Sequence, residues 1–302
     1  MKQIQFSLLI LFFGFGFPVE AQNFADLFKL IDTTKVKCTY QFRFLKDSIK
    51  MEYNSKDLNV INLENLYVVN IGENITQSYC YQTFYVDSMD STPAGRQKRA
   101  NDLSDFVRNA PDPKTNWDLF VEYSKGITAA HPSRGFFQFY VYKDYKEEKI
   151  TVRDNISMHG FYYDDELKPQ DWAILGDTMT VLDYPCQKAI CSWRGRDWEA
   201  WFAPDIPINE GPFKFYGLPG LIMKLEDTES HYSFNMIGLQ QVNEPMYMYV
   251  GSNNARKIDR LTFLRLKMKR TGVDLVAMDL AKVGISAVGA WEHYDHIERD
   301  YK

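Results

Sequence analysis

Between residues 38 and 45 (CTYQFRFL) apolar and polar side chains alternate. Cys38, Tyr40, Phe42 and Phe44 share one face; Thr39, Gln41 and Arg43 share the other. The same period of two recurs over 136–143, where Phe137, Phe139 and Val141 align. It recurs over 221–226, where Leu221, Met223 and Leu225 lie opposite Lys224 and Glu226. Over 231–237, Tyr232, Phe234 and Met236 lie opposite His231, Ser233 and Asn235. Successive strand side chains point to opposite faces, so each segment reads as a strand with one buried and one wet face. No rhythm of strand and long helix runs through the chain, which predicts antiparallel pairing. The expected fold class is mainly β (β-rich α+β): a curved antiparallel sheet or half-barrel packed against one or two helices.

Two segments carry a helical period instead. In residues 94–108, Leu103, Phe106 and Val107 fall on one side. In 254–269 (NARKIDRLTFLRLKMK), Ile258, Leu261, Leu264 and Met268 form a stripe opposite a basic, solvated face, and Asn253 or Asn254 can cap the start. Residues 109–117 and 126–135 read as loops from their Pro, Gly and Asn content.

The N-terminus has a different grammar. Met1-Lys2 is a positive start, residues 6–17 are almost wholly apolar, and Val19-Glu20-Ala21 offers small or short side chains at the −3 and −1 positions. That is the layout of a secretory signal peptide, with cleavage expected after Ala21. A membrane-spanning helix needs about 20 apolar residues, more than this run supplies. No Cys stands at the cleavage point to take a lipid. Residues 22–302 are expected to form a single β-rich domain with no transmembrane segment. Net charge is −5 with both signs interspersed, which leaves no footprint for nucleic acid or an anionic membrane surface. Aromatics make up 15% of the chain, which favours half-buried pleated surfaces.

The four cysteines are Cys38, Cys80, Cys186 and Cys191. In an exported chain they predict at least one disulfide, in any of three full pairings. Cys38 can reach Cys80 on another strand. Cys186 and Cys191 face opposite sides of a regular strand and pair only if the chain turns between them. Their spacing lacks the paired C-x-x-C of a zinc site.

Residues 184–227 are the densest part of the chain. Trp193-Arg194-Gly195-Arg196-Asp197 reads as strand, tight turn and strand, with Gly195 free to take φ > 0. Arg194, Arg196, Trp198 and Trp201 form the candidate surface site. Asp205-Ile206-Pro207-Ile208 reads as extended, because the residue before proline is driven to β. Gly217, Leu218, Pro219, Gly220, Leu221 and Ile222 read as a rigid corner leading into a strand. Pro219 and Gly220 suit the centre of a type II turn, and no phosphate-loop pattern is present. Catalytic patterns are thin. The histidines are His131, His159, His231, His293 and His296, with no H-E-x-x-H, and no G-x-S-x-G occurs. His293 and His296, beside Glu292 and Asp295, share a face on a helix, yet a charged terminus of this kind reads as solvated and frayed. No catalytic, cofactor-binding or metal residue is assigned.

The GLPGLI hexapeptide at 217–222 resembles the name-giving motif of the GLPGLI family, secreted proteins of Bacteroidetes. Around it stand, in order, Tyr184-x-Cys186-Gln187-Lys188-Ala189, Arg194-Gly195-Arg196-x-Trp198-x-Ala200-Trp201-Phe202, Ile206-Pro207-Ile208 and Gly211-Pro212-x-Lys214-Phe215. Segment 40–47, Trp172 and Asp177-Thr178 add to the likeness, which spans most of 35–240 and is strongest over 184–227. The resemblance implies a signal peptide, a Gram-negative host and export to the periplasm or beyond. It implies no activity, cofactor or catalytic residue. Cys191 stands where the family usually has Thr or a similar residue, and an NPIEL-like ending is missing, so the resemblance does not place residues 275–302.

Two functional readings follow. The first is a non-enzymatic envelope protein whose curved sheet binds an apolar or amphipathic ligand, or a partner protein. The segment from Trp198 through the GLP turn is similar to lipoprotein carriers with half-barrel sheets, a likeness of fold alone. The second is a hydrolase using Asp205 or Glu210 near Arg194 and Arg196. Convergent acid, His and Arg groups in a cleft favour the enzyme; an apolar groove without titrating groups favours the binder.

Overall fold

The computed structural model describes residues 27–53, 56–112, 115–124, 137–156, 159–251, 255–270, 286–287 and 296–301. The expected cleavage site, the 126–135 loop, Asn253, Asn254 and His293 lie outside these residues.

The strands are β1 (Phe28–Tyr53), β2 (Lys56–Ile71), β3 (Ile75–Cys80), β4 (Tyr140–Asp144), β5 (Lys149–Ile156), β6 (His159–Glu166), β7 (Ala173–Val181), β8 (Tyr184–Trp193), β9 (Arg196–Ala203), β10 (Leu221–Asp227), β11 (Tyr232–Tyr249), β12 (Arg256–Lys257) and β13 (Ser286–Ala287). The helices are α1 (Tyr81–Asp90), α2 (Pro93–Arg108), α3 (Trp117–Ser124) and α4 (Arg260–Arg270). The strands form one open sheet in the order β12-β6-β5-β4-β3-β2-β1-β11-β10-β9-β8-β7, with β13 added to β1. Pairing is antiparallel except between β12 and β6. The mainly β, antiparallel expectation holds.

Strand β1 sits at the centre because its alternation suits a half-buried position between two neighbours. Cys38, Tyr40, Phe42 and Phe44 are all buried. On β11 the register places Phe234 opposite Phe42, Met236 opposite Tyr40 and Tyr232 opposite Phe44. The Phe42 ring lies 4.5 Å from Phe234 and 4.9 Å from Phe137, within the range where aromatic pairs add to simple area burial. The inward row Leu221, Met223 and Leu225 on β10 is likewise fully buried.

The opposite face of the sheet carries a second, smaller core. Register shifts in the β1–β11 ladder between Leu30 and Asp32 and between Thr34 and Val36 mark bulges, which bend and twist the ribbon. The start of β1 and the end of β11 thereby pack onto β3, β4 and α1. Val68, Tyr79, Tyr140 and Tyr142 form this core, with Phe84 and Tyr249 against it. Its polar tips are satisfied: the Tyr249 N–H donates to Tyr142 Oη at 2.9 Å, and Gln77 donates to the Tyr247 carbonyl at 2.6 Å.

Helix α2 starts as its sequence suggests, with Pro93 in the first turn and the Thr92 hydroxyl accepting from Gly95 N–H at 3.1 Å. Helix α4 starts later than expected. Asp259, not Asn253 or Asn254, caps it, accepting from Thr262 N–H at 2.9 Å. Phe263 and Leu264 turn inward over β5 and β6, while Ile258 and Leu261 stay half-buried.

The expected disulfide is not formed: all four cysteines are buried and free. Cys38 on β1 and Cys80 on β3 are separated by β2, and their rows differ, since Cys38 faces Val69 and Cys80 faces Tyr67. Two strand spacings amount to roughly 10 Å, beyond the ~7 Å limit between bridged Cα atoms. Cys186 and Cys191 lie on one continuous strand, β8, with no turn between them. Burial pushes the thiols of Cys38 and Cys191 up to about 12.

Candidate functional site

The densest segment folds into two devices, a hairpin tip and a corner, and both organise charge. At the tip, between β8 and β9, Arg194 has φ +48° and Gly195 φ +78°. Left-handed conformations at both central residues suit the tightest hairpins. A Cβ on Gly195 would lie 2.9 Å from Cβ of Arg299. The tip is bare because residues 296–301 run across it. Arg299 N–H donates to the Arg194 carbonyl at 2.8 Å, and both Arg196 Nε and an Arg196 terminal nitrogen donate to the His296 carbonyl at 3.1 and 2.9 Å. The frayed terminus expected for WEHYDHIERD is corrected over its described part: His296, Ile297 and Glu298 are buried, as is Tyr301 just after it.

Glu298 is the hub of this strap. Its carboxylate accepts from Lys214 at 2.5 Å, from Arg260 at 2.6 Å and from Arg194. Arg260 also grips Asp300 through both terminal nitrogens, at 2.9 and 2.6 Å. Asp165 completes the cluster, 2.8 Å from both Arg194 and Lys214. Burial alone would raise the Asp165 carboxyl; Lys214 and Arg194 outweigh it and hold it at about 2. Lys214 gives its remaining proton to Tyr163 Oη at 3.3 Å, so its three donors have three acceptors.

Beside it, Arg196 and Asp227 form a buried pair at 2.6 Å, with the guanidinium over the Tyr232 ring. Asp227, Glu229 and His231 bring one ligand atom each within 4.8 Å of one another. The spacing suits a metal, but the chemistry does not. Arg196 and Arg299 both approach His231 Nδ1 at 3.3 Å, and Arg299 also pairs with Glu229. A cation there would meet two fixed positive charges. The hydrogen bond from Arg299 holds the Glu229 carboxyl below its usual range.

The corner is built differently from the expected type II turn. Gly220 N–H donates to the Leu218 carbonyl at 2.8 Å, a three-residue turn centred on Pro219. The positive φ falls on Gly217, at +92°, beside Pro169. Gly220 is required for a different reason: a Cβ there would lie 2.3 Å from the Ala203 carbonyl oxygen. The preceding loop is tied down by Lys143 and Glu210, a buried pair at 2.5 Å. Lys143 also donates to the carbonyls of Gly211 and Phe215, and Glu210 accepts from Thr76 at 2.6 Å and from Tyr145.

Arg194, Arg196, Trp198 and Trp201 therefore do not make one surface patch. Arg196 is buried and Trp198 is a core residue with its ring 4.6 Å from Phe215. Arg194 is half-buried over Trp193, and Trp201 is half-buried against the edge of the core under Lys188. Asp205 is exposed in the turn after β9, and Glu210 is committed to Lys143. Two small clefts flank Arg194. One, about 230 Å³, is lined by Arg196, Asp227, Glu229 and Arg299; the other, about 160 Å³, by Asp165, Glu166, Gln170, Trp193 and Lys214. On the inner side of the sheet, Phe42, Phe137, Phe139, Phe213 and Phe263 line a partly open chamber with about 30 Å³ free, which the Asp154–Lys267 pair, Ile297 and Glu298 also border.

Residues 194–224, which take in both the hairpin tip and the corner, match the model of a Bacteroidetes-associated family described as a protein of unknown function (Porph_ging). No curated protein matches the chain. Two solved structures of PNGF-II, in space groups P21 and C2, are similar at 15% and 13% identity, with TM-scores of 0.45 and 0.46. Each alignment covers 78% of this chain and only 34% and 33% of the PNGF-II chains, so the chain spans about a third of their length.

Proposed function

We propose that this chain is an exported envelope protein of the GLPGLI kind, a single binding domain after signal removal, which holds an amphipathic ligand or a partner and performs no covalent chemistry. The observation that carries this reading is the state of the carboxylates in the clefts. Asp165, Asp227 and Glu229 are each gripped by a guanidinium or ammonium group, and the two resolved shifts among them run away from neutrality: Asp165 sits at about 2 and Glu229 below its usual range. A general base works best with a pKa near the operating pH, so these groups are poor proton acceptors and good structural anchors. The hydrolase reading needs Asp205 or Glu210 as an available acid or base. Glu210 is buried against Lys143, and Asp205 is an exposed turn residue.

No helix among the described residues is long and apolar enough to cross a membrane. The aromatic inner face of the sheet, whose Phe42, Phe137 and Phe213 are buried, is the place we assign to a ligand's apolar part. The test is to purify the exported protein from its native envelope and identify what accompanies it by mass spectrometry of lipids and proteins together. A stoichiometric companion is expected. Recovery of the protein alone, with hydrolysis of an envelope substrate that Arg194→Ala abolishes, would overturn the reading.

A further inference from the structure

Resting on the binding reading above, we propose that the strap 296–301 is a resident occupant of a site for a single-chain anionic amphiphile, and that such a molecule displaces it. The apolar chain would enter the aromatic chamber and the head would settle on Arg194, Lys214 and Arg260.

Charge is the first support. Three cations of the body, Arg194, Lys214 and Arg260, converge on one place and have a single carboxylate of the body among them, Asp165. The strap supplies the other two negative charges, Glu298 and Asp300. Arg299, the strap's own cation, turns away to Glu229. Lifting the strap would leave two uncompensated positive charges in a largely water-excluded place, where an anion is strongly favoured.

Contiguity is the second. Glu298 both lines the aromatic chamber and contacts all three cations, so the cationic trio adjoins the chamber. A side chain that ends in a carboxylate beside one that fills an apolar space has the chemistry of a short anionic amphiphile. The chamber wall is mainly aromatic, with Phe42, Phe137, Phe139, Phe213 and Phe263, and it also includes the Asp154–Lys267 ion pair. Only about 30 Å³ is free with the strap in place, too little for an alkyl chain, so a ligand enters by exchange and not by addition.

The third is the kind of bond that holds the strap. Ile297 and Tyr301 are its buried apolar side chains, with His296 buried beside Tyr301; the ion pairs of Glu298 and Asp300 and contacts to its carbonyls, as from Arg265 to the Tyr301 carbonyl at 3.1 Å, add to the grip. A competitor that brings its own anion can take the place of the Glu298 carboxylate among the three cations, whereas a neutral amphiphile cannot.

The experiment uses the full mature chain and dodecanoate below its micellar concentration. Binding is followed by calorimetry, and strap release by hydrogen exchange of the 296–301 amides. Dodecanoate should bind saturably and speed exchange of those amides at least tenfold while β1 and β11 stay protected. Dodecyl maltoside, with the same chain and no charge, should bind at least tenfold more weakly. Dodecyl phosphate in parallel tells a carboxylate preference from a phosphate one. Glu298→Gln should bind dodecanoate at least tenfold more tightly; should it fold poorly, Asp300→Asn at the exposed rim should show the same direction severalfold. Arg260→Gln should weaken binding. Dodecanoate that binds while the strap amides stay protected, equal binding of the maltoside, or no saturable binding to wild type and Asp300→Asn would each overturn the proposal. A native companion that still co-purifies in that case would leave the broader binding reading standing.

Discussion

Gly220→Ala is the sharpest probe of the corner. The new Cβ would sit 2.3 Å from the Ala203 carbonyl oxygen and 2.7 Å from the Ala203 carbonyl carbon, both backbone atoms. Normal contact needs about an ångström more, and neither side can give easily. Ala203 is fully buried at the end of β9, and Leu221, next in the chain, donates to the Ile206 carbonyl at 3.1 Å with its side chain fully buried. Relief must come by moving the corner, which loosens that hydrogen bond and the start of the Leu221, Met223, Leu225 row. Overpacking of a tight core costs about 1–3 kcal/mol and a weakened buried hydrogen bond about 1 kcal/mol. The expected loss is therefore about 2–4 kcal/mol, or about 4–16 °C in Tm at 2–4 °C per kcal/mol for a chain of this size class. Gly176 provides the control, since nothing lies within 4 Å of its ideal Cβ and no positive φ constrains it. Gly176→Ala should be neutral or stabilising by up to about 1 kcal/mol. Urea unfolding of both variants beside the wild type decides the matter. If Gly220→Ala unfolds within about 0.5 kcal/mol of the wild type, the close approach does not constrain the corner and the reasoning fails.

Other consequences are equally open to measurement. Asp165 sits at about 2 when folded and near 3.9 when unfolded. Its contribution is fully present above pH 4 and drains away as pH falls from there toward 2, about 2–3 kcal/mol in all; Asp165→Asn should flatten that part of the urea-midpoint-versus-pH curve, and an unchanged curve would count against the ion cluster. All four thiols should react with a thiol reagent after denaturation without reductant, and those of Cys38 and Cys191 should be silent in the native protein at pH 8; fewer than four after denaturation would mean that a disulfide forms after all. Phe42→Ala should cost about 3–5 kcal/mol by emptying the centre of the aromatic core, and a loss under 1 kcal/mol in thermal unfolding would show that the surrounding rings collapse into the gap.

Much of the sheet was legible because its signals are local. The faces of 38–44 and 232–236 follow from alternation alone, and Gly195 announces the hairpin tip, since each depends on neighbours within a few residues. The corner was legible as a corner but not in its geometry. Which glycine takes φ > 0 depends on Pro169 and on the Ala203 carbonyl, and no local rule contains them. The charge cluster was invisible for the same reason. Glu298 finds Arg194, Lys214 and Arg260 at separations of 104, 84 and 38 residues. A run such as HIERD looks like ordinary solvated surface until its partners are known. The disulfide expectation rested on compartment and count, and it failed on register: β2 intervenes between Cys38 and Cys80.

The centrality of β1 has a consequence for the order of assembly. One of its neighbours, β2, follows almost at once, but the other, β11, pairs Phe28 with Tyr249. The chain must therefore carry its most aromatic strand with one edge unsatisfied while more than half of the sequence is still to come. Closing so distant a pairing is entropically slow, and an aromatic edge left open is an invitation to aggregate. Any truncation before β11 should yield an insoluble hairpin and not a smaller folded unit. Co-expression of a holding chaperone should therefore raise the soluble yield of the full chain.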